Sequence, residues 1–320
     1  MDTFPFRIVF AGNPEIAVPT LLELNKHFEV VAVLTHPDKP GKRGHELIPV
    51  PVKKAALENS ITVIEADRLN KEIRQQVASY SPNLLISFAT SHYFGPKFLQ
   101  LFSIDALNIH PSLLPLHRGS APLHYAILNQ DRETGISIQR IVKEIDSGNI
   151  LNSISFPLTG EEHSEDLASK VAPLAASLIV NTLQGYDSYR EKEVVQKEEE
   201  ATFTQLLSKE DGIIDFASSA ASIHAKIRAY YPWPKASTTF NGEMLILAGV
   251  SLPIGEVGKE VNNEVPPGTV VSFDKKKGLK IACSDAFIYA SRVQIAKKKE
   301  MDASSFVNGN PHIIGSKLGV

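Results

Sequence analysis

Short apolar runs at residues 7–11, 30–34, 62–64, 84–87 and 106–109 alternate with longer stretches of helical spacing near 17–26, 52–59, 70–80 and 96–102. This rhythm constrains the fold more than any other feature of the chain. Runs so short and so continuously apolar read as strands covered on both faces, and parallel strands need a long crossover, which the intervening helices supply. The first hundred residues are therefore expected to form a parallel α/β sheet. In such sheets ligands bind beyond the carboxyl ends of the strands, so the residues after Ala11, Leu34, Ser87 and Ile109 are the places to search.

The pattern continues through a run at 136–142, a hairpin-like 150–156 and a helix from about 164 to 189, in which Pro173 is expected to introduce a kink. Residues 190–205 are rich in charge and poor in apolar periodicity, and read as a linker. Beyond them come one helical segment, 218–230, and short strand-like runs at 236–240, 244–251, 268–273, 279–283 and 286–293, punctuated by Gly and Pro. That spacing predicts a small closed or nearly closed β-barrel. The expected organisation is thus an α/β domain over 1–189, a linker over 190–205 and a barrel domain over 206–320, in keeping with a length of 320 residues.

Charge divides along the same line. The net charge of −3 argues against a uniformly basic nucleic-acid binder, but residues 206–320 carry 14 Lys and Arg against 11 Asp and Glu, leaving 19 against 25 for residues 1–205. No run approaches the ~20 apolar residues of a membrane span, and the amino terminus lacks the basic and apolar regions of a secretory signal. The single cysteine, Cys283, excludes an internal disulfide framework and suits a reducing cytosol, so a cytoplasmic location without membrane association is expected.

The densest polar constellation follows the fifth strand, in Asn108-Ile-His110-Pro-Ser-Leu-Leu-Pro115. Strand alternation puts Asn108 and His110 on one side, and Pro111 ends the ladder. Some thirty residues later, Asp146-Ser-Gly148 places a short acid in a turn that can return beside His110. Asn, His and Asp together can stabilise an oxyanion and carry a proton without a nucleophile or a metal. By residue type alone, caps, turns and an ordinary half-buried histidine explain the same residues. His92, His117 and His124 beside His110 lack any metal-site spacing, so no metal is expected. Gly12 stands alone where G-x-G-x-x-G would be needed, so no nicotinamide cofactor is expected either.

Residues 108–115 followed by Arg118-Gly119, together with Asp146-Ser-Gly148, resemble the two catalytic segments of the folate-dependent formyltransferases. Residues 9–15, the basic stretch Thr35–Lys53, and 208–215, 227–234 and 297–301 further resemble the branch of that family that acts on methionyl-tRNA. The resemblance implies a Rossmann-like catalytic domain followed by an OB-like barrel that holds the tRNA. It implies 10-formyltetrahydrofolate as co-substrate and formyl donor, the amino group of methionyl initiator tRNA as acceptor, and a role in translation initiation. Carried over residue by residue, Asn108, His110 and Asp146 are the catalytic residues, while Ser112, Leu113, Leu114 and Pro115 are expected to cradle the folate with exposed backbone. Lys39, Lys42 and Arg43 in loop 36–49, with Lys209, Lys297 and Lys298 on the barrel, are expected to contact tRNA phosphates. A monomer is the working expectation.

Three departures stand out: Phe88-Ala-Thr-Ser-His-Tyr-Phe-Gly95 where the family has alanine-tyrosine-glycine, Leu116-His117 where it has a basic-aromatic pair, and Glu144 two residues before Asp146. An amino-sugar formyltransferase, a 10-formyltetrahydrofolate hydrolase and a non-catalytic tRNA-binding protein are the alternatives on the same plan. The basic loop after the second strand speaks against the first two, and the intact trio against the third.

Overall fold

The computed structural model describes residues 5–40, 47–253 and 265–319. The chain divides into two compact units: Met1–Pro122, Glu133–Pro157 and Leu167–Thr204 form unit 1, and Leu123–Arg132, Leu158–Asp166 and Gln205–Val320 form unit 2.

Through Thr204 the elements run β1 (Arg7–Ala11), α1 (Val18–His27), β2 (Glu29–Thr35), β3 (Lys39–Pro40), β4 (Leu47–Ile48), α2 (Pro51–Glu58), β5 (Val63–Glu65), α3 (Lys71–Ser79), β6 (Leu84–Phe88), α4 (Pro96–Leu99), β7 (Asp105–His110), β8 (Arg118–Gly119), α5 (Pro122–Leu128), β9 (Glu133–Arg140), β10 (Ile150–Pro157), α6 (Ser164–Gln184), α7 (Tyr186–Glu191) and β11 (Phe203–Thr204). The main sheet has the order β10-β9-β7-β6-β1-β2-β5. From β7 to β5 all pairings are parallel, while β9 and β10 add antiparallel strands at one edge. Every residue of β6 is buried, as a central parallel strand requires. On one face Val9, Leu34, Ile64 and Leu85 pack with Val77 of α3 and Phe98 of α4. Consecutive crossovers lie on either side of β1, so the strand order reverses between β1 and β6, and the sheet opens a crevice there.

Local chemistry explains the element boundaries. The Asn70 side chain caps α3 by accepting from the Ile73 amide at 3.0 Å, and Pro51 opens α2. Helix α6 runs through Pro173 without interruption and stops at Gly185, so the expected segment 164–189 is two helices. The strands β3 and β4 pair antiparallel (Lys39 with Ile48, Pro40 with Leu47) and form the stalk of loop 36–49. Lys53 reaches Asp38 at 2.7 Å and Glu65 at 2.9 Å, pinning the base of that stalk; these carboxylates, Asp38 foremost, raise the ammonium pKa. Lys42 and Arg43 lie outside the described residues, and of Lys39 only the backbone is described.

The linker reading of 190–205 requires correction. Residues 190–204 belong to unit 1: Val194 bridges Ile150 of β10, β11 pairs parallel with β8, and Arg118 holds Glu198 through two hydrogen bonds of 2.9 and 2.8 Å. Two of the charges that suggested a solvated tether, Glu193 and Glu198, pair with Arg140 and the buried Arg118. Unit 2 also takes in 123–132 and 158–166, segments that sequence order had assigned to the first domain.

Unit 2 is built on α8 (Ala220–Ala229), β12 (Ser237–Phe240), β13 (Glu243–Ser251), β14 (Val270–Asp274), β15 (Gly278–Ala282), β16 (Phe287–Ile295), β17 (Met301–Asp302) and α9 (Ala303–Gly309). The antiparallel sheet has the order β12-β13-β16-β15-β14, with β17 beside β16. It curls around Phe216, Ile223, Ile227, Leu247, Ile281 and Phe306. Residues 315–319 bridge its two edges. The Gly315 and Ser316 backbone bonds Val270 of β14, the Leu318 amide donates to Gly268, and the Gly319 amide donates to Thr239 of β12. Among the described residues no helix is long and apolar enough to cross a membrane.

His224 of α8 makes unit 2 acid-sensitive. It is buried, its Nδ1 accepts from Arg228 Nε at 3.3 Å, and burial followed by the Arg228 charge pushes its pKa down to about 4. The unfolded imidazole, near 6.5, binds a proton first, so the stabilisation is complete above pH 6.5 and is lost as pH falls toward 4. It amounts to about 3 kcal/mol. Urea unfolding from pH 7.5 to 4.5 should show that loss in the wild type and a flatter profile in His224→Gln; equal slopes would contradict this assignment.

Candidate active site

Strand β7 ends at the catalytic candidates. Its register sets Asn108 opposite Ser87 of β6 and Gln139 of β9, and His110 opposite Ser137. The β9–β10 connection then brings Asp146 back over this edge. One carboxylate oxygen, Oδ1, accepts from Gln139 Nε2 at 2.7 Å and from Asn108 Nδ2 at 3.3 Å. The other, Oδ2, accepts from the Gly119 amide at 2.8 Å and lies 3.5 Å from His110 Nδ1. Asn108, His110 and Asp146 thus meet at the carboxyl edge of the sheet, with His110 buried and Asn108 partly accessible.

Two glycines make this convergence possible. Asp146 adopts the left-handed region at φ 53°, tolerable for Asp in a tight turn. Gly148 then passes so close to β9 that a Cβ would lie 2.0 Å from the Arg140 carbonyl oxygen. Gly119, at φ 113°, has its Cβ position 2.5 Å from the Thr204 carbonyl oxygen, which is why glycine follows Arg118. Arg118 itself is buried, donates to Gln196 and Glu198, and anchors the loop.

His110 is oriented from both sides. Its Nε2 donates to the His117 carbonyl at 2.9 Å while Nδ1 faces Asp146. Asn108 has one amide N–H on Asp146 and a second one left for a ligand. With a carboxylate held by three donors, a histidine ring beside it and a partly accessible amide, the edge can hold an oxyanion and move a proton.

The folate segment differs from expectation in one respect. Most of the Ser112 to Pro115 backbone is already paired: Ser137 Oγ donates to the Ser112 carbonyl at 2.8 Å and accepts from the Leu114 amide at 3.2 Å, the Leu113 carbonyl accepts from Leu116, and the Pro115 carbonyl accepts from Thr202. Ser112 and Leu114 are buried, and only Leu113 and Pro115 keep partly exposed surface. The loop closes on itself because a two-proline segment with unpaired polar groups would be costly beside the sheet.

At the crevice between β1 and β6, the departure at 88–95 forms its own network. Asn13 Nδ2 donates to Thr90 Oγ1 at 3.2 Å, its Oδ1 accepts from the His36 amide at 2.8 Å, and His36 stacks on His92 with centroids 4.0 Å apart. His92 Nε2 donates to the Ala66 carbonyl at 2.7 Å, and burial lowers its pKa. Among the described residues no three His, Cys, Asp or Glu side chains are grouped to hold a metal. Lys209, Lys297 and Lys298 are exposed on unit 2.

Two residues of this site were not read from the sequence. Gln139 is the polar cross-strand neighbour of Asn108, and pairing β9 with β7 would have found it. Gln196 sits in the apparent linker and gave no signal.

The family model described as formyl transferase matches residues 6–183, and that of the formyl transferase C-terminal domain matches residues 206–311. A methionyl-tRNA formyltransferase of Treponema denticola is 33% identical over 316 residues, covering 96% of this chain and 98% of that protein. One from Borrelia duttonii is 35% identical over 310 residues, covering 97% and 98%. The crystal structure of HypX from Aquifex aeolicus in complex with tetrahydrofolic acid superposes with a TM-score of 0.62 at 16% identity. That match covers 94% of this chain but only 47% of HypX, so the chain spans about half of HypX and the likeness concerns the fold. Matched along both halves and at nearly full length, this chain belongs to the formyl transferase family.

Proposed function

We propose that the chain transfers the formyl group of 10-formyltetrahydrofolate to the amino group of methionyl initiator tRNA. The carrying observation is the Asp146 carboxylate held between Asn108, His110 and the Gly119 amide at the sheet edge, in a chain alike along its whole length to proteins named for that reaction.

The acceptor amine attacks the formyl carbon, and the carbonyl oxygen becomes an oxyanion. The free N–H of Asn108 donates to that oxygen. His110 joins it by exchanging the His117 carbonyl for the oxyanion, each donor contributing about 3 kcal/mol. Asp146 holds the imidazole and assists the proton from the attacking amine to N10 of the leaving folate, as the C–N10 bond breaks. Leu113 and Pro115 supply apolar contact to the folate. The lone buried Cys283 suits the cytosol.

The tRNA is held by residues 206–320, with Lys209, Lys297 and Lys298 on phosphates, and by the tip of loop 36–49, with Lys39, Lys42 and Arg43. The Lys53 clamp and the β3–β4 stalk favour a fixed base for that tip. Arg43→Ala should raise the KM for methionyl-tRNA about tenfold at moderate salt and lower the salt slope by about one. The KM for the folate donor should not move. An unchanged tRNA KM would remove the loop from this account.

A further inference from the structure

We infer that Gln196, acting with Gln139, is a positioning residue that holds the Asp146 turn in its working geometry. The inference rests on the role given to Asp146 above. Both amides are buried, 5% and 1% exposed. Gln196 Nε2 donates to the Asp146 carbonyl at 2.9 Å and to the Gly148 carbonyl at 2.7 Å, gripping the turn on either side of Ser147. It also faces Gln139 Oε1 at 3.4 Å, and Gln139 Nε2 donates to Asp146 Oδ1 at 2.7 Å.

The direction of this relay is fixed at both ends. Arg118 Nε can only donate, so at 3.0 Å it sets the Gln196 oxygen toward itself and the Gln196 nitrogen toward the turn. An ionised carboxylate can only accept, so the Gln139 nitrogen faces Asp146 and its oxygen faces Gln196. The two Gln196 hydrogens serve the two turn carbonyls, with the longer 3.4 Å approach to Gln139 shared between them, so the cation and the two amides restrain the turn together. Gln196 holds the turn's backbone and Gln139 its side chain. The restraint fixes a turn in which Asp146 adopts the left-handed region at φ 53°. Gln196 falls between the two stretches matched by the family models, residues 6–183 and 206–311.

The test uses Gln196→Met, Gln196→Glu and Gln139→Met in the full chain. Met keeps the volume and removes the hydrogen bonds. Glu keeps an acceptor for Arg118 and removes the donors to the turn. A positioning role predicts that kcat falls about 10- to 100-fold in each variant while both KM values stay within twofold. It also predicts that Gln196→Met costs nothing further in an Asp146→Asn background under single-turnover conditions, where a merely structural role would still cost activity. Thermal unfolding reports whether Gln196→Met folds; if it does not, Gln196→Glu carries the test. Wild-type kcat in the Gln196 variants, or a loss that persists in the Asp146→Asn background, would overturn the inference. Should Asp146→Asn itself turn over like the wild type, the reading of Asp146 fails and this inference with it. Should Asp146→Asn be inactive and the Gln196 variants normal, only the positioning role falls.

Discussion

Asp146→Ala is expected to lower kcat by about 10³-fold, within the range that a positioned acid or base contributes, with the KM for either substrate changed far less. The reason lies in the number of groups that converge on this carboxylate. Asn108, Gln139 and the Gly119 amide donate to it, and the His110 ring faces it. Alanine leaves these donors facing a void, each buried one at a cost of about 1–3 kcal/mol, so the variant should also unfold at a lower urea concentration. Asp146→Asn separates the two effects, because it refills the space and removes only the charge. If Asp146→Ala formylates methionyl-tRNA at a rate near that of the wild type, the proton path proposed for this site is wrong.

Gly148→Ala is expected to have the next largest effect, on stability and rate together. Its new Cβ would meet the Arg140 carbonyl oxygen at 2.0 Å and the carbonyl carbon at 2.8 Å. Arg140 cannot move away. Its backbone is in β9, its amide donates to the Asn149 carbonyl, and its side chain is tied to Asp105 at 3.0 Å and Glu193 at 2.7 Å. The turn must therefore shift, by about 1 Å, which costs about 1–3 kcal/mol as overpacking and about 10²-fold in rate as misplacement of Asp146. Urea unfolding and kcat measured on one preparation check both. Gly309→Ala is a suitable control, since a Cβ there meets nothing within 4 Å. A Gly148→Ala enzyme like the wild type in both respects would mean that the turn is not the rigid element described here.

Much of this was legible in the chain. Strand periodicity located β1, β2, β5, β6 and β7 within a residue or two, because buried parallel strands leave an unbroken apolar signature. The trio was legible because alternation puts Asn108 and His110 on one side and a Pro ends the strand. Asp-x-Gly was a turn signal whose reason, the approach of Gly148 to β9, appears only in three dimensions. Residues 190–204 were misread because composition cannot distinguish a charged tether from a segment whose charges pair with distant arginines. Gln196 is 78 residues from Arg118 and 50 from Asp146. The Ser112–Pro115 backbone was expected to be free because its partners, Ser137 and Thr202, are equally remote in sequence. Pro173 lies inside an unbroken α6, Ser164–Gln184.

The most direct measurement of the central claim is a balance of products. The protein is incubated with 10-formyltetrahydrofolate and methionyl initiator tRNA, then with uncharged tRNA, with an amino-sugar nucleotide or with no acceptor, and released tetrahydrofolate is compared with formyl-methionine. One formyl-methionine per tetrahydrofolate is expected with the charged tRNA, and negligible folate release in every other mixture. Folate release that continues without tRNA, or transfer to the amino sugar in preference to methionyl-tRNA, would contradict it.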